Sequence, residues 1–106
     1  MEAGYRLRPA GDGAWEAVLD GTAVGVARAG SEGLEVSVLP GHRRKGVGRC
    51  LVRAVISDLV RAGVSSVRAA PPEASGKAFC EALGGIPLGG GAYRWTDLKA
   101  VAKCAP

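Results

Sequence analysis

The chain has 106 residues, 47% of them hydrophobic, and a net charge of +4 from 14 Lys and Arg against 10 Asp and Glu. That length suits one domain with a core of its own, and that hydrophobic share excludes a disordered chain. No apolar run approaches the roughly 18 residues of a membrane span, and the opening MEAGYRLRPA has no apolar leader segment, so neither a membrane partner nor a secretory signal is expected.

Tyr5–Pro9 (YRLRP) alternates and is predicted as a short strand. Ala14–Leu19 (AWEAVL) and 22–29 (TAVGVARA) are strand-like runs that meet at Asp20-Gly21, a dipeptide favouring a tight hairpin turn. After a turn at 30–33 (GSEG), 34–39 (LEVSVL) alternates again. The period then changes. Val47, Leu51, Val55 and Leu59 recur at i, i+4 with Ala54 and Ala62 near the same stripe, which predicts an amphipathic helix over 48–62 closed by Gly63. Residues 64–70 read as a strand, 75–83 as a helix stopped by Gly84-Gly85, and 86–88 with 92–98 as a hairpin around three glycines. Residues 99–106 are expected as a tail. The order β-β-β-β-α-β-α-β-β implies an α/β (α+β) fold in one domain over 1–106. Its sheet is mixed and mostly antiparallel, with six to seven strands, two helices and at least one parallel pair across the crossover helix.

The stretch PGHRRKGVGRCL, 40–51, leads into the first helix. Arg43, Arg44 and Lys45 repel one another, and Gly46 and Gly48 weaken the helix start. Folding alone does not call for this spelling. The first turn of a helix leaves N–H groups without intrahelical acceptors, the macrodipole adds positive potential, and glycine admits close approach of an anion. The Lys-Ser/Thr of a triphosphate loop is missing after Gly46, and no G-x-G-x-x-G fingerprint is present. Loop physics leaves three readings open: a phosphate site, a nucleic-acid contact, or a solvated basic turn. A nucleic-acid partner is disfavoured by the lack of interleaved aromatics and of a base-reading motif. Cys50, Cys80 and Cys104 are odd in number and form no metal-type pairs, as expected of reduced thiols in a cytoplasmic protein without a metal site. Usage heavy in Ala, Gly, Arg and Val favours a bacterial source.

The spelling Val38-x-Pro40-x-x-Arg43-x-x-Gly46-x-Gly48-Arg49-x-Leu51 resembles the acetyl-CoA-binding motif of the GNAT superfamily of N-acetyltransferases, R/Q-x-x-G-x-G/A after a strand ending in V-x-P. With the element order, the resemblance spans residues 34–98. It implies a GNAT-like fold and an acetyl-CoA-dependent N-acetyltransferase that passes an acetyl group to a primary amine by direct attack on the thioester. Arg43 would be the motif's Arg/Gln, and Arg44, Lys45, Gly46, Val47, Gly48 and Arg49 would surround the pyrophosphate of coenzyme A. The backbone of Val36, Ser37 and Val38 would pair with the pantetheine arm and polarise the thioester carbonyl.

The sequence also departs from that family. Only AGDG at 10–13 joins the first two strands, where members carry one or two helices. An open acceptor groove is implied, or one completed by a second copy in a homodimer or by another chain. In place of the family's F-Y-x-x-L-G-F stands Phe79-Cys80-Glu81-Ala82-Leu83-Gly84-Gly85, which puts Cys80 at the proton-donating tyrosine. A thiol is able to donate, yet a small helix cysteine also packs simply as a hydrophobe. The family's Asn seven residues earlier is Glu73, with Ser75 as a competing N-cap. Glu35 is the favoured general base, although an outward strand glutamate is also an ordinary solvent face; Glu32 and His42 are weaker candidates. Tyr93 would substitute for the tyrosine only if the closing hairpin folds over the thioester. Trp15 and Trp95 are expected in the core or at its rim. The acceptor is then a small-molecule or peptide amine. The departures motivate an alternative, a non-catalytic acyl-CoA-binding or partner-regulating module.

Overall fold

The computed structural model describes residues 3–30, 33–71 and 74–103. It begins with an antiparallel meander, β1 (Tyr5–Pro9), β2 (Ala14–Leu19), β3 (Thr22–Gly30) and β4 (Gly33–Val38), adjacent in that order in one sheet. The β2–β3 turn has positive φ at both Asp20 and Gly21, the primed geometry whose twist matches the strands. One turn of 3-10 helix at Pro40–His42 leads to α1 (Val47–Arg61). Then follow β5 (Val67–Ala69), α2 (Ala74–Ala82), β6 (Ile86–Gly89), β7 (Ala92–Trp95) and α3 (Leu98–Lys103). The last three strands form a second antiparallel sheet, ordered β5-β7-β6.

Helix α1 closes as its sequence requires. Gly63 N–H bonds the Val60 carbonyl at 3.0 Å and Val64 N–H bonds that of Leu59 at 2.9 Å, the paired bonds of a Schellman cap. Val64 is spent on this cap, so β5 starts three residues later than the predicted strand at 64–70. Val47, Leu51 and Val55 are fully buried as their spacing requires, but so are Val52 and Ile56, while Leu59 is half-buried and Ala62 exposed. The buried face is broad because α1 is covered twice, by the first sheet and by α3. Residues 99–103 are therefore not a tail: α3 buries Leu98 and Val101 in the same core. Residues 104–106, with Cys104, lie outside the described residues. Trp15, half-buried on β2, donates from Nε1 to Asp58 Oδ2 of α1 at 2.6 Å and ties the sheet to the helix. No helix among the described residues is long and apolar enough to cross a membrane.

The expected parallel pair across α1 does not form a ladder among the described residues, since β4 and β5 belong to separate sheets. They meet at one point. Gly33, at the start of β4 with φ +112°, sits so close to β5 that an added Cβ would lie 2.4 Å from the Arg68 carbonyl oxygen. Beyond that contact the space between the strands opens into a cleft lined by both. Gly33→Ala combines a strained φ with a backbone clash, so it is expected to cost about 2 kcal/mol or more. The urea midpoint, read at unchanged m-value, measures this cost.

Candidate active site

The cleft has a volume of about 1000 Å³, at the upper end of small-molecule pockets. Residues 34–38 of β4 form one wall. Ala69, Ala70 and Pro71 with Gly76, Phe79, Cys80 and Leu83 of α2 form the other, and the basic loop with the start of α1 closes one end. Helix α2 sits tight on its incoming chain, because a Cβ at Gly76 would lie 2.7 Å from Pro71 Cβ.

The polar edge of β4 follows from its register. Leu39 N–H donates to the Val24 carbonyl at 2.9 Å. In an antiparallel pair the backbone groups alternate, so those of Ser37 and Glu35 turn toward β3 while those of Val36 and Val38 turn toward the cleft. The Val38 carbonyl already accepts from Arg43 Nε at 3.1 Å. Of the three residues expected to offer backbone to a ligand, Val36 is the one whose N–H and C=O face the opening. Ser37 reaches the cleft with its side chain face instead.

The loop builds an uncapped helix start. Gly46 occupies the N-cap in the left-handed region (φ 80°, ψ 4°), no side chain caps the helix, and its first turn contains no acid. Cys50 N–H makes the first helical bond, to Gly46 O at 3.2 Å. The N–H groups of Val47, Gly48 and Arg49 therefore have no intrahelical acceptor. Arg44 also adopts positive φ, 63°, an uncommon conformation for a residue other than glycine. Arg43, Arg44, Gly46, Val47, Gly48 and Arg49 line the cleft; Lys45 is half-buried and is not among the lining residues. His42 lines it too, held by a 2.7 Å hydrogen bond between Nδ1 and the Tyr5 hydroxyl and by an edge-on ring contact. A Cβ at Gly48 would lie 3.3 Å from the Phe79 ring, so the first turn of α1 and α2 approach each other closely and any side chain at 48 would press on that ring.

The candidate catalytic residues separate. Glu35 is exposed on the cleft wall, and Cys80 lines the cleft at 5% exposure. Burial, and then Glu81, push the Cys80 thiol pKa up. Tyr93 is not brought to the cleft. It lies on β7, the central strand of the second sheet, between Ala69 and Pro87, and is buried against the end of α2. Burial raises its pKa as well, with Glu81 and Cys80 adding to the effect. Trp95 is buried with its Nε1 donating to the Leu83 carbonyl at 3.1 Å, closing the end of α2. Glu32 and Glu73 lie outside the described residues, as does the side chain of Ser75. Sequence reasoning missed Phe79 and Arg28 as cleft residues. The signal for Arg28 was an arginine breaking the apolar run TAVGVARA; Phe79 stood in the phrase Phe79–Gly85, which was read for Cys80 and not for its aromatic ring. Among the described residues no cluster of three or more His, Cys, Asp or Glu could hold a metal ion.

The model of the acetyltransferase (GNAT) family matches residues 2–84. The crystal structure of the ribosomal-protein-S18-alanine N-acetyltransferase from Escherichia coli aligns with a TM-score of 0.54 at 19% identity, over 89% of this chain and 68% of that one. The likeness in structure is one of fold. No curated protein matches the sequence.

The raised pKa of Cys80 leaves less thiolate at neutral pH than an ordinary thiol has. Iodoacetamide, followed residue by residue by mass spectrometry, is expected to label half-buried Cys50 first and Cys80 more slowly. The Cys80 rate should keep rising with pH beyond the usual thiol range; labelling of both at one rate would remove the case for a shielded thiol.

Proposed function

The chain belongs to the acetyltransferase (GNAT) family, and we propose that it uses this cleft to bind acetyl-CoA and transfer the acetyl group to a primary amine by direct attack on the thioester. The observation that carries this reading is the coincidence, in one cleft, of an uncapped cationic helix start and an unpaired strand edge at Val36. The residues fit the cofactor. Amides of Val47, Gly48 and Arg49 with the side chains of Arg44 and Arg49 suit a pyrophosphate, and Gly48 leaves the space beside Phe79 open for it. Arg43 donates Nε to the Val38 carbonyl, which shapes the loop and leaves its other guanidinium N–H groups for the same pyrophosphate.

Bound acetyl-CoA would supply an activated acyl group whose carbonyl oxygen gains negative charge as the amine attacks. The Val36 N–H is a fixed dipole at the strand edge, which stabilises such charge without reorganising. Glu35, exposed on the same wall, accepts the proton of the incoming ammonium, directly or through water. Cys80 stays protonated and, with its pKa raised, is a poor acid. The better proton source for the departing thiolate is the attacking nitrogen itself. Unpaired Cys50 and Cys80 support a cytoplasmic setting. With no helix between β1 and β2, a second copy of the chain would complete the acceptor side.

One observation favours the second reading, an acyl-CoA-binding module without turnover: among the described residues no tyrosine lines the cleft. Calorimetric titration with acetyl-CoA and with desulfo-CoA, followed by thiol release against an amine panel, separates the two. Both ligands are expected to bind with Kd on the order of micromolar, and Gly48→Val to weaken both about a hundredfold with an unchanged circular dichroism spectrum. Binding without release for any amine assigns the module. Absence of binding overturns both readings.

A further inference from the structure

Arg28 of β3 and Glu35 of β4 are direct cross-strand partners, both exposed and both lining the cleft. Their face of the sheet follows from alternation. Gly25 points at α1, since its added Cβ would lie 3.2 Å from Leu51, so Val26 and Arg28 point away, as do their partners Ser37 and Glu35. All four of these residues line the cleft. The cleft thus wraps from the strand edge onto the sheet face that α1 leaves bare.

Opposite charges directly across a ladder ordinarily neutralise each other. On the same face, Arg8 and Glu16 do so in a cross-strand ion pair. Arg28 and Glu35 do not: neither makes an ion pair with the other or with another described residue. Among the described residues, Glu35 is also the one carboxylate that lines the cleft. The remaining cations there, Arg43, Arg44 and Arg49, belong to the basic loop and the start of α1, and Arg43 is tied to the Val38 carbonyl, three residues and roughly 10 Å along the strand from Glu35. Arg28 is thus a separate positive centre, placed beside the acid and past the Val36 edge.

We propose that Arg28 and Glu35 form the acceptor subsite for an amine that itself carries a carboxylate, with Glu35 receiving the amine end and Arg28 the carboxylate. This rests on the transferase reading and names its substrate class. A carboxylate and a guanidinium pair through two parallel hydrogen bonds, which fixes the direction of the acceptor as well as holding it. In the transfer, the ammonium gives one proton to solvent through Glu35. Its nitrogen then bonds the acyl carbon as the C–S bond breaks, and its second proton ends on the thiolate sulfur. The same chemistry is presented by a free amino acid and by a peptide whose first residue is acidic.

The test compares β-alanine with its primary amide, and the amidated peptides Asp-Ala-Gly-Gly and Asn-Ala-Gly-Gly, as acceptors of acetyl groups. The carboxylate-bearing member of one pair is expected to have kcat/KM about tenfold above its neutral partner, and the pair that shows it identifies the source. Arg28→Gln should abolish the preference through KM rather than kcat, and Arg28→Lys should restore part of it. Acetyl-CoA binding by these variants reports that they are folded. Equal kcat/KM within both pairs, or a preference that survives Arg28→Gln, overturns the assignment. If no acceptor turns over, titration with N-acetyl-β-alanine and the N-acetylated Asp peptide in the presence of coenzyme A still decides. Binding lost in Arg28→Gln sustains the subsite while the transferase reading fails; absent or Arg28-independent binding removes the subsite.

Discussion

Gly33 touches β5 backbone to backbone, at a separation that leaves no room for a Cβ beside the Arg68 carbonyl. Because that contact holds two strands together at one end while they belong to different sheets, it sets the shape of everything downstream. A β4 fully paired with β5 would have spent the N–H and C=O of Val36 on a ladder. An unrestrained β4 would have been an open edge in water, a liability for pairing with other chains. Held at Gly33 and faced across the cleft by α2, the strand keeps an unpaired polar edge inside a walled cleft. That combination is what a ligand with its own amide groups is able to complete.

The basic loop shows the cost of such a site locally. Neighbouring cations, a non-glycine residue at positive φ and a helix start with neither cap nor acid all oppose folding. The fold offsets them with contacts that lie elsewhere in the chain. Arg43 is anchored to the last carbonyl of β4, and His42 to the Tyr5 hydroxyl of the first strand. The amides of Val47, Gly48 and Arg49 have no acceptor within the helix, whose first bond is made by Cys50.

Legibility followed the range of the interaction concerned. The hairpin at Asp20-Gly21 and the Schellman closure at Gly63 were readable because each depends on one or two residues and their own φ angles. The stripe Val47, Leu51, Val55 was readable from its period. Helix α3 was not: six residues carry too little periodicity, and Leu98 and Val101 matter only because α1 has a second face to cover. The missing parallel ladder was equally unreadable, since a crossover helix implies neighbouring strands but not hydrogen bonds between them.

The candidate site divides along the same line. From sequence alone came the element order as far as β7, the loop that ends in an uncapped helix and the residues Arg44, Gly46, Gly48 and Arg49 around it, because a local spelling suffices to create unpaired amides and positive charge in one place. Tertiary structure alone decided that Cys80 faces the cleft while Tyr93 is buried behind it, that Val36 rather than Ser37 presents its backbone, and that Arg28 stands beside Glu35 without pairing. Each of these depends on which side of a strand or helix a residue takes once two sheets have parted, and that parting is set by a contact between residues 33 and 68 that no local pattern encodes.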